Sequence, residues 1–111
     1  MPITLPEVYT ISVGETELVS IDYSRHLDNG ELLTGTPTVV EVTTSDLTLA
    51  NKQVNTVAYV HQYGTAEIGW AVQFSVSGQM VANSPYTIRV TVSTDASIVR
   101  TFVRDIALKA V

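Results

Sequence analysis

The chain has 111 residues, 45% of them hydrophobic, no cysteine and a net charge of −5. That length and composition describe one globular domain with a single core and exclude intrinsic disorder. Without cysteine there is no disulfide or thiolate metal centre, the acidic balance argues against a sequence-independent nucleic-acid binder, and no apolar run approaches the ~20 residues of a membrane helix.

The start, MPITLPEVYT, has no basic segment and no long apolar run, so it does not read as a signal peptide. Pro2 and Pro6 lack N–H groups and push their predecessors toward extended backbone, so residues 1–6 read as an extended arm. The arm is too short for a core of its own. Its Ile3 and Leu5 are expected to pack on a neighbouring subunit.

Glu7–Ser12 reads as the first strand, and Gly14-Glu15 as a turn. Leu18–Ser24 is the second strand, with Val19, Ile21 and Tyr23 on one face. The segment RHLDNGELLTGTP follows as a loop, and its Asn29-Gly30 pair is a strong turn signal. Leu27, Leu32 and Leu33 are too apolar for a free loop and are expected to cap the core. Thr38–Thr44 reads as a strand with Val40 and Val42 inward, and Ser45-Asp46 as a turn. Leu47–Ala50 fits a strand or a single helical turn, Asn51-Lys52-Gln53 a polar turn, and Val54–Val60 another strand. HQYGTAE reads as a loop.

The clearest signal is in Ile68–Ser93. Ile68, Trp70, Val72, Phe74 and Val76 alternate with small or polar residues, and so do Tyr86, Ile88, Val90 and Val92. A loop with Gly78, Asn83, Ser84 and Pro85 separates the two runs, which read as antiparallel neighbours with one shared apolar face. Parity makes Trp70 a core anchor rather than an exposed sugar platform. Tyr86 is expected to pack its ring and bond nearby backbone through its hydroxyl. Ser93–Ser97 reads as a tight turn and Ile98–Leu108 as the last strand. About seven strands, with turn signals every 8–12 residues and no helical periodicity, indicate an all-β antiparallel sandwich.

Groups for catalysis are sparse. His26 and His61 are the only histidines, and neither has a second ligand at metal spacing. Asp28-Asn29-Gly30-Glu31 has the glycine of a calcium loop but not its alternating oxygen ligands, and reads as a plain turn. There is no phosphate-binding glycine loop and no G-x-S-x-G elbow. The expectation is a non-enzymatic protein without cofactor or metal.

Charge is uneven along the chain. Residues 1–67 hold nine acids against Arg25 and Lys52, a balance of −7, and residues 68–111 hold two acids against four bases, +2. The sheets are expected to mix these charges in space. Pairing Ser93 with Ile98 across the turn sets Val92 opposite Val99, Val90 opposite Thr101 and Ile88 opposite Val103, all inward. Arg89 then faces Phe102 on the outer side, beside Arg100 and Arg104, whereas a one-residue slip drives Arg100 toward the core. Arginines around an exposed aromatic have the composition of an interface hot spot, so Arg89, Arg100, Phe102 and Arg104 form the expected protein-binding patch. The alternative is a bulge that returns Phe102, Ile106 and Leu108 to the core.

The early part Asp22-Tyr23-Ser24, Leu27 and Gly30-Glu31-Leu32-Leu33, then the strand in which Trp70 and Phe74 alternate with small or polar residues, then the late part Tyr86–Val92, Asp95 and Arg100-Thr101-Phe102 make up three segments. Together they resemble small bacteriophage virion proteins of the fiber-tail adaptor group. The similarity spans residues 17–108. It implies an immunoglobulin-like sandwich over 1–111 and a structural role in a tailed-phage virion, assembled in the host cytoplasm, as a tail or fiber adaptor. The implied partners are other virion proteins of tail, fiber or capsid and further copies of the chain, with no nucleic acid and no membrane. Two alternatives are a capsid decoration protein and a carbohydrate- or cell-surface-binding module. The last would need exposed coplanar aromatics, and most aromatics here fall on the apolar parity.

Overall fold

A computed structural model describes residues 9–43, 46–62, 64–78 and 80–111. The described residues contain nine strands and no helix. They are β1 (Tyr9–Ile11), β2 (Glu17–Asp22), β3 (Leu33–Glu41), β4 (Leu47–Val54), β5 (Tyr59–His61), β6 (Gly64–Ala66), β7 (Ala71–Gly78), β8 (Pro85–Thr94) and β9 (Thr101–Ala110). One sheet has the order β1-β9-β8-β3, the second β2-β7-β4, and β5-β6 is a separate hairpin. The two larger sheets form a sandwich. Their orders are compatible with an immunoglobulin-like arrangement, with β2-β7-β4 and β9-β8-β3 as the two faces. The arm expected over 1–6, with Ile3 and Leu5, lies outside the described residues.

The core is what the alternation produces. Val19 and Ile21 from β2 and Val72, Phe74 and Val76 from β7 meet Tyr86, Ile88, Val90 and Val92 from β8 and Ile106 and Leu108 from β9. Removing each such side chain from water contributes about 1.5–3 kcal/mol before entropy is counted. Tyr86 behaves as expected. Its ring is buried, its hydroxyl accepts from Val81 N at 2.9 Å and it donates to Asp46 Oδ2 at 3.0 Å.

The pairing of β7 with β8 does not occur. They sit in opposite sheets, and the connection between them crosses the sandwich. Alternation reports only that a strand has an apolar face. Two such faces bury each other as well across a core as under a common cover. The sandwich is also not purely antiparallel, because β1 runs parallel to β9 and pairs Tyr9 with Leu108 and Ile11 with Ala110. That pairing shields an edge strand of the larger sheet.

Several boundaries move. β7 begins at Ala71, so Ile68 and Trp70 precede it in a turn. Ile68 is exposed and Trp70 half-buried, and neither anchors the core. β3 starts at Leu33 and turns Leu33, Pro37 and Val39 inward, which leaves Val40 and Val42 exposed. Val39 and Val40 are equivalent in hydropathy, so composition does not choose between the parities. Leu33 is buried and Leu27 packs on the core as expected, while Leu32 is exposed. Asn51 is a bulge within β4 rather than a turn: its φ is +54°, and the pairing with β7 shifts between Ala50 and Gln53. Val54 ends β4 instead of opening a strand, and the expected loop over 61–67 holds the second half of the β5–β6 hairpin.

The last strand is the largest correction. β9 begins at Thr101, after a loop over 95–100 that is longer than the expected turn. Ser93 therefore faces Thr101, Val92 faces Phe102, Val90 faces Arg104, Arg89 faces Asp105 and Ile88 faces Ile106. Thr94 closes the loop, donating N–H to the Arg100 carbonyl at 3.0 Å and accepting at Oγ1 from Arg100 N at 3.2 Å. Phe102, Ile106 and Leu108 consequently turn inward with regular pairing and no bulge between them.

Candidate functional site

Three connections meet at one end of the sandwich: residues 23–32 after β2, residues 55–70 around the β5–β6 hairpin, and residues 95–100 before β9. Strand registers place them together, since Asp22 faces Ala71, Val54 faces Val72 and Leu33 faces Thr94. Leu33 N donates to Gly69 O at 2.8 Å and ties the two sheets together there.

Each connection is held by a few polar groups. Asn55 is almost fully buried and organises the second. Its Oδ1 accepts from Gly69 N at 3.1 Å and Ala71 N at 3.0 Å, and its Nδ2 donates to Val57 O at 3.1 Å and Glu67 O at 2.9 Å. One amide thus satisfies backbone groups on both sides of a 12-residue separation. Beside it His61 Nε2 meets Asp22 Oδ2 at 2.8 Å, which fastens the hairpin to the end of β2. The neighbouring Tyr59 hydroxyl is pushed up by burial and by the charge of Asp22.

The first and third connections are joined by Arg100. Its guanidinium makes a two-pronged pair with the Glu31 carboxylate, the Nε–Oε2 arm at 3.1 Å, and donates to His26 O at 2.6 Å. Glu31 also accepts from Asp28 N at 2.9 Å. Asp95 Oδ1 accepts from Leu32 N at 2.9 Å, and Asp95 N donates to Leu32 O at 2.9 Å. The Glu31 carboxyl is lowered to about 2, chiefly by its bond to Arg100 and then by the Asp28 N–H. Asp28–Glu31 is a turn, closed by Glu31 N to Asp28 O at 2.9 Å. Here Arg100, from the basic later part of the chain, meets Asp28 and Glu31 from the acidic earlier part.

Beneath Arg100 a cavity of about 320 Å³ is lined by Tyr23, His26, Thr101, Phe102, Val103 and Arg104. The Tyr23 and Phe102 rings stack at 5.6 Å and 17°, His26 is tilted against Phe102 at 6.0 Å, and Arg100 Cζ lies 5.2 Å from the Phe102 ring centre. Tyr23 Oη and His26 Nε2 are buried without a hydrogen-bond partner. Burial pushes the Tyr23 hydroxyl up to about 12, against the pull of the nearby Arg104 charge. Arg104 has no ion-pair partner among the described residues.

The expected arginine patch is therefore divided. Arg89 lies on the outer face and pairs with Asp105, Nε to Oδ1 at 2.8 Å and Nη2 to Oδ2 at 3.1 Å. Arg100 is committed to Glu31. Phe102 is half-buried and packed on the core instead of exposed, and Arg104 sits on the same inner parity beside the cavity. The residues that shape this end and that composition did not single out are Asn55 and the pair Tyr23–His26. Tyr23 is legible as an inward residue of the strand expected over Leu18–Ser24, and it is buried just past the end of β2, but its missing hydroxyl partner is a property of three dimensions. Around the same end Leu32, Val57, Val60, Ile68, Ile98 and Val99 are exposed, with Val60 at 80% and Ile98 at 86%. Among the described residues no group of three or more His, Cys, Asp or Glu side chains is placed to hold a metal ion. Comparison with family models, with curated proteins and with solved structures finds no match to the chain.

Proposed function

We propose that this protein is a non-enzymatic structural component of a tailed-phage virion, a tail or fiber adaptor that docks on a neighbouring protein through the loop end of its sandwich. The observation that carries this reading is the gathering of exposed apolar side chains from three connections at that end, with Val57 and Val60 from the second and Ile98 and Val99 from the third. Exposed apolar groups collected on one face mark interaction surfaces more than scattered ones do. The polar ties beneath them hold the loops in one arrangement, which lowers the ordering cost of binding.

The resemblance to small virion proteins supports the same reading. The residues that carry it, Asp22-Tyr23-Ser24, Gly30-Glu31-Leu32-Leu33 and Arg100-Thr101-Phe102, are the residues that build this end. Quantitative mass spectrometry of purified particles is the test. The reading expects the chain at a fixed small copy number and in the tail fraction after heads and tails are separated. Recovery in the head fraction, at a copy number near that of the major capsid protein, would replace adaptor with decoration protein. Absence from particles would end the virion reading.

A further inference from the structure

The cavity between Tyr23 and Arg104 holds three polar groups that the fold leaves unused. A buried hydroxyl or ring nitrogen without a partner forfeits its hydrogen bond to water and gains none in return. Two such atoms, Tyr23 Oη and His26 Nε2, belong to side chains lining one space of about 320 Å³. The Arg104 side chain lines the same space and has no ion-pair partner among the described residues. Its neighbour Arg100 is neutralised by Glu31, with Asp28 Oδ2 at 3.9 Å.

We propose that this cavity is a binding site for a monocarboxylate. Arg104 supplies the charge, the Tyr23 hydroxyl and the His26 ring supply hydrogen bonds to the carboxylate oxygens, and the Phe102 ring and Val103 flank its carbon body. The chemistry selects the ligand class in three steps. An arginine and a phenol both donate hydrogen bonds, and His26 donates from Nε2 in one tautomer, so the group they suit is an acceptor. A single unpaired guanidinium matches one negative charge, and the adjacent carboxylates of Asp28 and Glu31 work against a dianion such as phosphate. The stacked Tyr23–Phe102 pair makes one wall apolar, which suits a ligand with carbon next to its carboxylate more than a bare inorganic ion. The carboxylate can belong to a small free acid or to the C-terminus of another chain. The site is independent of whether the protein is a virion component.

The test is a titration of the isotopically labelled protein followed by amide chemical shifts. The probes are acetate, benzoate, inorganic phosphate, and a short peptide with either a free or an amidated C-terminus. Benzoate is expected to bind on the order of millimolar, the scale of a ligand with so few atoms, with the largest shifts at Tyr23, His26 and Thr101–Arg104 and weaker binding for acetate. Arg104→Gln and Tyr23→Phe should each weaken benzoate about 10- to 100-fold, the range for a lost bond to a charged group. Tyr23→Phe keeps the ring and its stacking, so an unchanged spectrum outside the cavity shows that the fold is intact. Preference for the free-ended peptide over both benzoate and the amidated peptide assigns the site to a chain terminus. The reverse order assigns it to a free acid, and both support the proposal. Phosphate binding as tightly as benzoate, benzoate binding that is indifferent to Arg104→Gln, or no localised shift with any carboxylate would overturn it.

Discussion

At the scale of single residues, the loop end depends on side chains that bond to backbone. Asn55 is the clearest, because its one amide serves the N–H groups of Gly69 and Ala71 and the carbonyls of Val57 and Glu67. Asn55→Ala strips a partner from four main-chain groups in a buried setting and should cost about 2–4 kcal/mol in urea unfolding. A cost below ~1 kcal/mol would mean that water replaces the amide. Phe102 is a second case. Stacked on Tyr23 and half-buried, it should cost about 2–3 kcal/mol as Phe102→Ala, at or just under the range for fully buried rings. A variant as stable as the parent would return Phe102 to the surface. Asn55 was not legible in the sequence, where it falls inside the strand expected over Val54–Val60 and reads as one more polar strand position. Phe102 was misplaced for a different reason, which lies in its strand.

At the scale of elements, what could be read was the alternation and what could not was the partner. The apolar faces of β2, β7 and β8 follow directly from residue parity. Which sheet each joins does not, since β7 and β8 bury the same faces whether side by side or opposed. The register of β9 turned on keeping the Arg100 charge out of the core. That constraint is satisfied, but by a loop: Arg100 stands before β9 and its charge is met by Glu31. A rule about charge fixed the outcome for one residue and left the strand free to begin three residues later. Glycine sites show the same limit. Gly78 has φ +117°, and a Cβ there would lie 2.5 Å from the Asp46 carbonyl oxygen and 2.8 Å from Thr48 N. Both are main-chain atoms, so Gly78→Ala should disrupt the start of β4 and cost about 2 kcal/mol or more by thermal or urea unfolding. Full retention of stability would show that this junction moves apart without penalty.

The Arg100–Glu31 pair links two connections, and its pH dependence has a definite sign. The folded carboxyl is lowered to about 2, whereas an unfolded glutamate ionises near about 4.3. The stabilisation is therefore fully present above the unfolded value and is lost as pH falls toward the folded one. The urea midpoint of the parent should exceed that of Glu31→Gln at neutral pH, and the gap should close between about pH 5 and pH 2. A gap that is constant across that range would show that the pair is replaced by equivalent hydrogen bonds in the variant.

At the scale of the molecule, the two ends of the sandwich differ. One end carries the β5–β6 hairpin, the Arg100 junction, the cavity and the exposed apolar side chains Leu32, Val57, Val60, Ile68, Ile98 and Val99, and the opposite end carries short connections such as residues 12–16, with Gly14 at φ +89°. The general architecture followed from the sequence, because many short alternating strands between turn signals admit few arrangements. The asymmetry of the ends did not, because it arises from loops that lie far apart in the chain. The central claim is that the loop end is the docking face. Its most direct test is site-specific photo-crosslinking in assembling particles, with a photoreactive residue in place of Ile98 at the loop end or Val42 at the other. The account predicts a cross-link from position 98 to a different virion protein and little or none from position 42. Cross-links from position 42 with none from position 98 would contradict it.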